Sequence, residues 1–150
     1  MKLEELVAPG ETASRSFLVT PELTVGGWVD GMPPVLGTPF LVYMMEVAAA
    51  AVLTPHLPEG WVTVGAHVNV SHLAATPVGM TVTATARLVS ASGRTATFEV
   101  EAHDGVEKVG EGTHARGAVE LARFGARFRA KAEAAAQTRP GGAPVPGDRG

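Results

Sequence analysis

The sequence predicts an α+β fold in which an antiparallel sheet wraps around one central helix. Two patterns favour this class. Residues 39–53 form one long apolar segment typical of a helix, and several segments between residues 62 and 121 alternate apolar and polar side chains as strands do. The length of 150 residues fits one domain with one core, and we expect that domain to occupy residues 1–136.

Five segments have the pattern of strands: 14–19, 62–70, 80–90, 94–103 and 106–121. Turn residues lie between the last three segments, at Ala91-Ser92-Gly93 and at Asp104-Gly105, and they predict hairpins. We therefore expect one short strand before the helix and four antiparallel strands after it, joined by hairpins.

The helix has clear start and stop signals. Thr38 suits the N-cap and Pro39 the first helical position, while Thr54-Pro55 stops the helix. Residues 40–53 are apolar on nearly all sides, which predicts a buried helix. A sheet curled around such a helix is the hot-dog arrangement. Its open edges favour pairing with a second copy, so we expect a homodimer or a higher homo-oligomer.

Composition excludes several classes of protein. The chain has no cysteine, which removes disulfides, thiolate metal sites and cysteine nucleophiles and fits a reducing cytoplasm. A net charge of −3 gives no overall basic field for nucleic acid. The N-terminus lacks the apolar core of a secretory signal, and the segment at 39–53 is too short to span a bilayer. We expect a cytoplasmic protein that binds neither nucleic acid nor membrane.

The C-terminal part differs in charge. Residues 123–149 carry six basic and two acidic side chains, a balance of +4, whereas the rest of the chain carries −7. Residues 122–136 are expected to form a basic helix, which either attracts a polyanion such as the phosphates of CoA or is simply solvated. Residues 137–150 are rich in proline and glycine and are expected to form a disordered tail.

Glu46 is the most unusual residue of the helix. Its neighbours in sequence are apolar, and no basic residue lies within one helical turn. A carboxylate buried without a partner is suited to general acid or base chemistry near neutral pH. The alternatives are that Glu46 faces solvent, or that an arginine distant in sequence neutralises it.

Other positions have the chemistry of a site. The helix start at Thr38 offers the N–H groups of Phe40 and Leu41, which are able to polarise a carbonyl oxygen. His72 follows the first long strand and is either a surface residue or an acid, base or hydrogen-bond donor. Gly65 interrupts the alternation of that strand, and it marks a bulge or the close approach of another group.

The remaining histidines carry little information. His67, His103 and His114 alternate with apolar residues and are interpreted as ordinary strand residues. The five histidines of the chain show no spacing typical of a metal site. Motifs of nucleotide-binding proteins and of α/β-hydrolases are absent from the sequence as well.

With these residues described, the chain resembles the fluoroacetyl-CoA thioesterase family of hot-dog proteins. The resemblance extends over residues 37–128. Four segments carry it: Gly37-Thr38-Pro39-Phe40-Leu41-Val42-Tyr43-Met44-Met45-Glu46, Ser71-His72-Leu73-Ala74-Ala75-Thr76-Pro77, Ala102-His103-Asp104-Gly105-Val106 and Gly112-Thr113-His114-Ala115-Arg116. It implies hydrolysis of an acyl-CoA thioester at a dimer interface, without a metal or a cofactor.

The resemblance also implies roles for individual residues. Thr38, Glu46 and His72 match the catalytic set of the family, with Glu46 as nucleophile or as base for water. Gly65 and Arg116 match a glycine and an arginine that the family uses at its substrate site. The two phenylalanines of the family's lid match Val29 and Met32, so selectivity for fluoroacetyl-CoA is not expected to carry over. Phe40 completes the expected substrate-binding set.

Three other functions compete with this interpretation. An acyl-CoA hydratase of the same fold would need an aspartate and a histidine close together on the helix, and the helix here has neither beside Glu46. The second is a non-catalytic acyl-CoA-binding or regulatory module. The third is a structural dimer in which Glu46 is incidental.

Overall fold

The computed structural model describes residues 1–138 and confirms the α+β class. Its main elements are β1 (Thr12–Leu18), α1 (Thr38–Leu53), β2 (Trp61–His72), β3 (Thr81–Ser92), β4 (Thr95–His103), β5 (Lys108–Glu120) and α2 (Leu121–Gln137). Short 3-10 turns connect some of these elements. Residues 139–150, which form most of the tail expected at 137–150, lie outside the described residues, and α2 includes the range expected for the basic helix.

The five strands form one antiparallel sheet in the order β1-β3-β4-β5-β2. The predicted hairpins between β3, β4 and β5 are present. The expected hairpin between β2 and β3 is wrong, because β2 pairs with β5 at the edge of the sheet. The connection at residues 73–80 bonds to the segment before α1 instead of turning back, with Leu36 N–H donating to Thr76 O at 2.8 Å.

Buried side chains alternate with more exposed ones along the strands, which places the core between α1 and one face of the sheet. The buried residues of β3 and β4 are Val82, Ala84, Ala86, Leu88, Ala96, Phe98, Val100 and Ala102. The buried residues of α1 are Leu41, Met44, Met45, Ala48, Ala49, Val52 and Leu53. Alanine at many of these positions lets the helix approach the strands closely. A sheet curled around one helix in this way is the hot-dog fold.

The prediction of a buried helix is confirmed only for the side of α1 that packs on the sheet. The sheet covers one side, and Tyr43 on another side is 56% exposed. Thr38–His56, which is α1 with the turn after it, is long and apolar enough to cross a membrane by length and composition alone. Helices that pack in a protein core have the same apolar composition, and in this fold the apolar side chains of α1 pack against the sheet.

Candidate active site

The start of α1 joins the end of β2 through two side chains. The Oγ1 atom of Thr38 lies 2.8 Å from Nδ1 of His72. Thr38 is the first helical residue, and Gly37 before it is the N-cap. The N-cap prediction for Thr38 is therefore wrong, because its hydroxyl bonds to the imidazole rather than to the helix backbone. His72 Nε2 is buried and has no hydrogen-bond partner in residues 1–138.

The expected oxyanion donors at the helix start are already used. The N–H groups of Phe40 and Leu41 both donate to the carbonyl oxygen of Gly37, at 3.0 and 3.2 Å. The prediction that they polarise a substrate carbonyl is therefore wrong in this conformation. A hydrogen-bond donor for such an oxygen has to come from another group near Thr38.

Glu46 extends from α1 toward β2 at Gly65. A Cβ atom added to Gly65 would lie 2.9 Å from Oε1 of Glu46, so this strand position has no room for a side chain beside the carboxylate. The strand also has a β-bulge between Gly65 and His67. Both expectations for Gly65, a bulge and a close approach, are confirmed.

An arginine distant in sequence neutralises Glu46. Oε2 of Glu46 lies 3.7 Å from Nη1 of Arg116. The side chain of Arg116 is 8% exposed, and that of Glu46 is 36% exposed. The idea of a buried carboxylate without a partner is therefore wrong, and the arginine alternative is confirmed. Burial lowers the pKa of Arg116, and the negative charge of Glu46 opposes that effect.

Contacts with Thr63 and His114 hold the guanidinium of Arg116 in place beside Glu46. Its Nε donates to Thr63 Oγ1 at 3.0 Å, and its Nη2 donates to Thr63 O at 2.9 Å. Nη1 lies 3.3 Å from Nε2 of His114, and Nδ1 of His114 lies 2.7 Å from His67 O. Since arginine only donates, His114 accepts at Nε2 and carries its proton on Nδ1.

The charge state of His114 follows from these neighbours. Burial lowers the pKa of His114, and the positive charge of Arg116 lowers it further, although the bond to His67 O acts in the other direction. The neutral imidazole therefore supports the Arg116 guanidinium, which in turn faces the Glu46 carboxylate.

Sequence reasoning missed this supporting group. It treated His114 as an ordinary strand residue, but His114 is 2% exposed and faces the core beside Arg116. The sequence did contain one signal: His114 and Arg116 are two positions apart, and this spacing places both side chains on one face of a strand. Thr63 gave no such signal, because its contact with Arg116 depends on the pairing of β2 with β5.

The segment before α1 supplies the predicted lid positions. Val29 and Met32 are 49% and 47% exposed. Their neighbour Trp28 packs edge-on against Phe40 at 5.6 Å between ring centroids, and a Cβ atom at Gly37 would lie 2.6 Å from the Trp28 ring. Trp28 was not singled out in the sequence, although it is the residue of this segment that contacts the helix start.

The predicted catalytic residues form two groups within one chain. Thr38 and His72 form one group, and Glu46 lies with Gly65 and Arg116 in the other. Eight residues of α1 separate Thr38 from Glu46, which is ~12 Å along the helix axis at the usual rise. One chain therefore does not assemble Thr38, Glu46 and His72 into a single contact set.

Two concavities in residues 1–138 lie away from these groups. A polar groove of about 730 Å³ faces away from α1 and is lined by strand residues such as Thr85, Arg87 and Glu99. A smaller concavity of about 140 Å³ lies where β5 meets α2. Neither is lined by any residue of the predicted catalytic set.

Solved structures with this arrangement are hot-dog proteins and thioesterases. A thioesterase superfamily member from Thermus thermophilus is 30% identical with a TM-score of 0.81, covering 87% of this chain and 97% of that chain. A hot-dog-like protein from Thermanaerovibrio acidaminovorans is 25% identical with a TM-score of 0.80 over the same shares. The fold and the polar side chains on α1 thus define the class of hot-dog thioesterases.

The family is more specific than the class. A family model described as fluoroacetyl-CoA-specific thioesterase matches residues 19–122. The fluoroacetyl-CoA thioesterase of Streptantibioticus cattleyicolor is 40% identical over 131 residues, which is 83% of this chain and 94% of that protein. A solved fluoroacetyl-CoA thioesterase with fluoroacetate bound is 38% identical with a TM-score of 0.79, covering 83% of this chain and 98% of that chain. The chain belongs to this family and is a thioesterase.

Proposed function

We propose that this protein hydrolyses acyl-CoA thioesters at a site formed by Thr38, Glu46 and His72 at the interface of a homodimer. Two solved relatives support the substrate class, one in complex with acetyl-CoA and one with fluoroacetate and CoA. The observation that carries the proposal is the position of the Glu46 carboxylate. It extends from an apolar helix and lies beside Gly65 and the buried Arg116.

Each polar group has a role in this chemistry. In this proposal the Thr38 hydroxyl, whose Oγ1 lies 2.8 Å from Nδ1 of His72, donates to that nitrogen. The imidazole proton is then assigned to Nε2, where it is available to the thioester carbonyl oxygen. A Glu46 oxygen, or a water that Glu46 deprotonates, forms the new bond to the carbonyl carbon. The developing oxyanion accepts the bond from His72. The C–S bond then breaks. In the base route, the proton that Glu46 took from water passes to the CoA thiolate. In the nucleophile route, a water attacks the acyl–Glu46 anhydride, gives its proton to the thiolate and releases the acid together with free Glu46.

A second copy brings the two groups together. Within residues 1–138 the long strand β2 pairs on one side only, with β5, and its residues 65–69 are exposed. In an antiparallel pair of identical strands, the first half of each strand lies along the second half of the other. Pairing of β2 with the same strand of a second copy would therefore bring the Gly65 region of one copy toward the His72 end of the other. The Glu46 carboxylate beside Gly65 then faces the imidazole of the other copy.

The proposal is tested by release of free thiol from a panel of acyl-CoAs. The panel contains acetyl-CoA, fluoroacetyl-CoA and longer and aryl esters. We expect Glu46→Gln and His72→Asn each to lose roughly 100-fold or more in kcat, since general acid–base groups contribute this much. Glu107→Gln is the matched control, because Glu107 is exposed in the β4–β5 turn. Wild-type rates in both variants would overturn the proposal.

Two further outcomes of the same assay are informative. If no ester releases thiol while CoA esters still bind, the protein is a binding module and the proposal fails. Incorporation of ¹⁸O from labelled water into the Glu46 carboxyl identifies Glu46 as the nucleophile, because the base route places the label in the acid product alone. With Val29 and Met32 at the lid positions, we expect fluoroacetyl-CoA and acetyl-CoA to be hydrolysed at similar kcat/KM.

A further inference from the structure

Three arginines surround the small concavity where β5 meets α2. Arg94, Arg123 and Arg127 line it, and the remaining walls are Val119, Glu120 and Phe124. We call these three arginines the junction cluster. The family model matches only as far as residue 122, so two of the three arginines come after the matched region.

The junction cluster has an excess of positive charge. Within residues 1–138, no carboxylate lies within 4 Å of any of its three guanidinium groups, and the ion pairs of that region involve other side chains. Glu120 is the one acidic residue among the six that line the concavity, which leaves two net positive charges. The chain as a whole carries −3, so this concentration of cations is local.

One contact connects the junction cluster to β2, the strand that passes Glu46, and a second connects the start of α2 to the residue before β2. The Arg94 guanidinium lies over the Trp61 ring, 4.9 Å from its centroid. Leu121 N–H, at the start of α2, donates to Gly60 O at 2.8 Å. Trp61 precedes Gly65 by four residues on β2, which corresponds to ~13 Å in an extended strand. An extended pantetheine arm covers a distance of this order.

We propose that the junction cluster binds the phosphate groups of the acyl-CoA substrate, while the pantetheine arm follows the first residues of β2 to Glu46. This inference rests on the proposed function. Arginine is suited to the task because its planar fork donates two parallel hydrogen bonds to a phosphate. A free adenosine 3′,5′-bisphosphate has the same phosphate chemistry as part of CoA, and it is therefore the probe for binding without hydrolysis.

The experiment compares two thioesters in the full-length protein. Acetyl-CoA carries the phosphates, and the acetyl thioester of N-acetylcysteamine lacks them. For Arg123→Gln/Arg127→Gln we expect KM for acetyl-CoA to rise about tenfold with kcat unchanged, which is the effect of losing charge-assisted hydrogen bonds. Kinetics with the cysteamine ester should not change. Arg129→Gln/Lys131→Gln is the control, since it removes the same charge from α2 outside the concavity.

Binding and salt dependence complete the test. Calorimetry should detect adenosine 3′,5′-bisphosphate binding to the wild type and to the control, but not to the Arg123/Arg127 variant. In the wild type, KM for acetyl-CoA should rise with ionic strength while KM for the cysteamine ester stays constant. Because the salt dependence is measured on the wild type, it does not depend on the folding of a variant.

The outcomes separate the two proposals. Unchanged KM for acetyl-CoA in the Arg123/Arg127 variant, or an equal effect on both esters, overturns the phosphate site while hydrolysis stands. Arginine-dependent binding of the bisphosphate without hydrolysis of either ester supports the phosphate site and overturns the proposed function.

Discussion

Gly65 is the residue that gives the Glu46 carboxylate its position beside β2. Its φ is not positive, so alanine fits the backbone there, but the added Cβ would lie 2.9 Å from Oε1 and 3.2 Å from Cδ of Glu46. We expect Gly65→Ala to displace the carboxylate and to lower kcat about tenfold or more, because a displaced catalytic group loses its alignment with the reacting atoms. The thermal midpoint should change little.

Gly117→Ala is the matched control for this prediction. Gly117 lies on β5, and a Cβ atom added there would have no neighbour within 4 Å. Steady-state thiol release from both variants provides the measurement. Wild-type kcat in Gly65→Ala would mean that the Glu46 position is not set by this contact.

His114 makes stability depend on pH. Its folded-state pKa is lowered by burial below the ordinary value of 6.5, so below pH 6.5 the unfolded chain takes up a proton more readily than the folded chain. The unfolding free energy should therefore fall as the pH decreases from 6.5 toward the folded-state pKa. We expect urea unfolding of His114→Gln to have a flatter pH dependence in this window. His103→Gln, at an exposed position, should keep the wild-type slope.

Equal slopes for the wild type and His114→Gln would contradict this account of the buried imidazole. The measurement also tests the assignment of the neutral form, in which His114 accepts from Arg116. A charged imidazole at this position would face the guanidinium of Arg116 and stabilise neither group.

The sequence singled out the candidate residues but not the contacts that they make. Glu46 was identified from its apolar surroundings, and Gly65 from the broken alternation of a strand. The partner of Glu46 was not predictable from position, because Arg116 follows it by 70 residues and reaches it only through the pairing of β5 beside β2. The contact between Thr38 and His72 also depends on tertiary structure, and it overrides the local preference of threonine for capping.

Among the elements, the β4–β5 turn is held by Asp104. Its Oδ1 accepts from the N–H groups of Val106 and Glu107 at 2.9 and 3.0 Å, and its Oδ2 accepts from the buried hydroxyl of Thr76 at 3.1 Å. Thr76 O in turn accepts from Leu36 N–H. Asp104 thus joins the turn to the connection after His72 and to the segment before α1.

Replacement of Asp104 by asparagine should destabilise the fold. Although burial acts to raise the pKa of Asp104, the bonds from Glu107, Val106 and Thr76 dominate and lower it below 3.8. The carboxylate therefore stabilises the fold above about pH 4, and this contribution is lost as the pH falls through the lowered pKa. We expect Asp104→Asn to reduce the unfolding free energy at pH 7 by about 1–3 kcal/mol.

Chemical denaturation at pH 7 and near pH 2 tests this prediction. The difference between the wild type and Asp104→Asn should shrink at the lower pH, and Glu107→Gln in the same turn should show little effect at either pH. An Asp104→Asn protein as stable as the wild type at pH 7 would show that the turn does not depend on the carboxylate.

The pattern of elements was largely predictable, and the position of β2 was not. The strand periodicity and the apolar helix gave the right elements in the right order, within a few residues at each end. The edge position of β2 follows from residues 73–80, which bond to the segment before α1. Pairing of this kind has no local pattern, and so the sequence favoured a simpler row of hairpins.

At the scale of the whole molecule, one chain leaves the site divided. Thr38 and His72 lie two helical turns from Glu46, and the long strand between these groups has a free edge in the described residues. In the proposed dimer, a second copy paired along that edge would cover the exposed strand and would bring each Glu46 to the partner's His72. We therefore propose that each active site is shared between two copies.

Complementation between two inactive variants tests this claim most directly. Glu46→Gln and His72→Asn proteins are mixed, unfolded and refolded together, and thiol release from acetyl-CoA is measured against each variant treated alone. Random pairing makes half of the dimers hybrid, and each hybrid has one intact shared site, so we predict about one quarter of wild-type activity. A mixture as inactive as its parents would contradict the account.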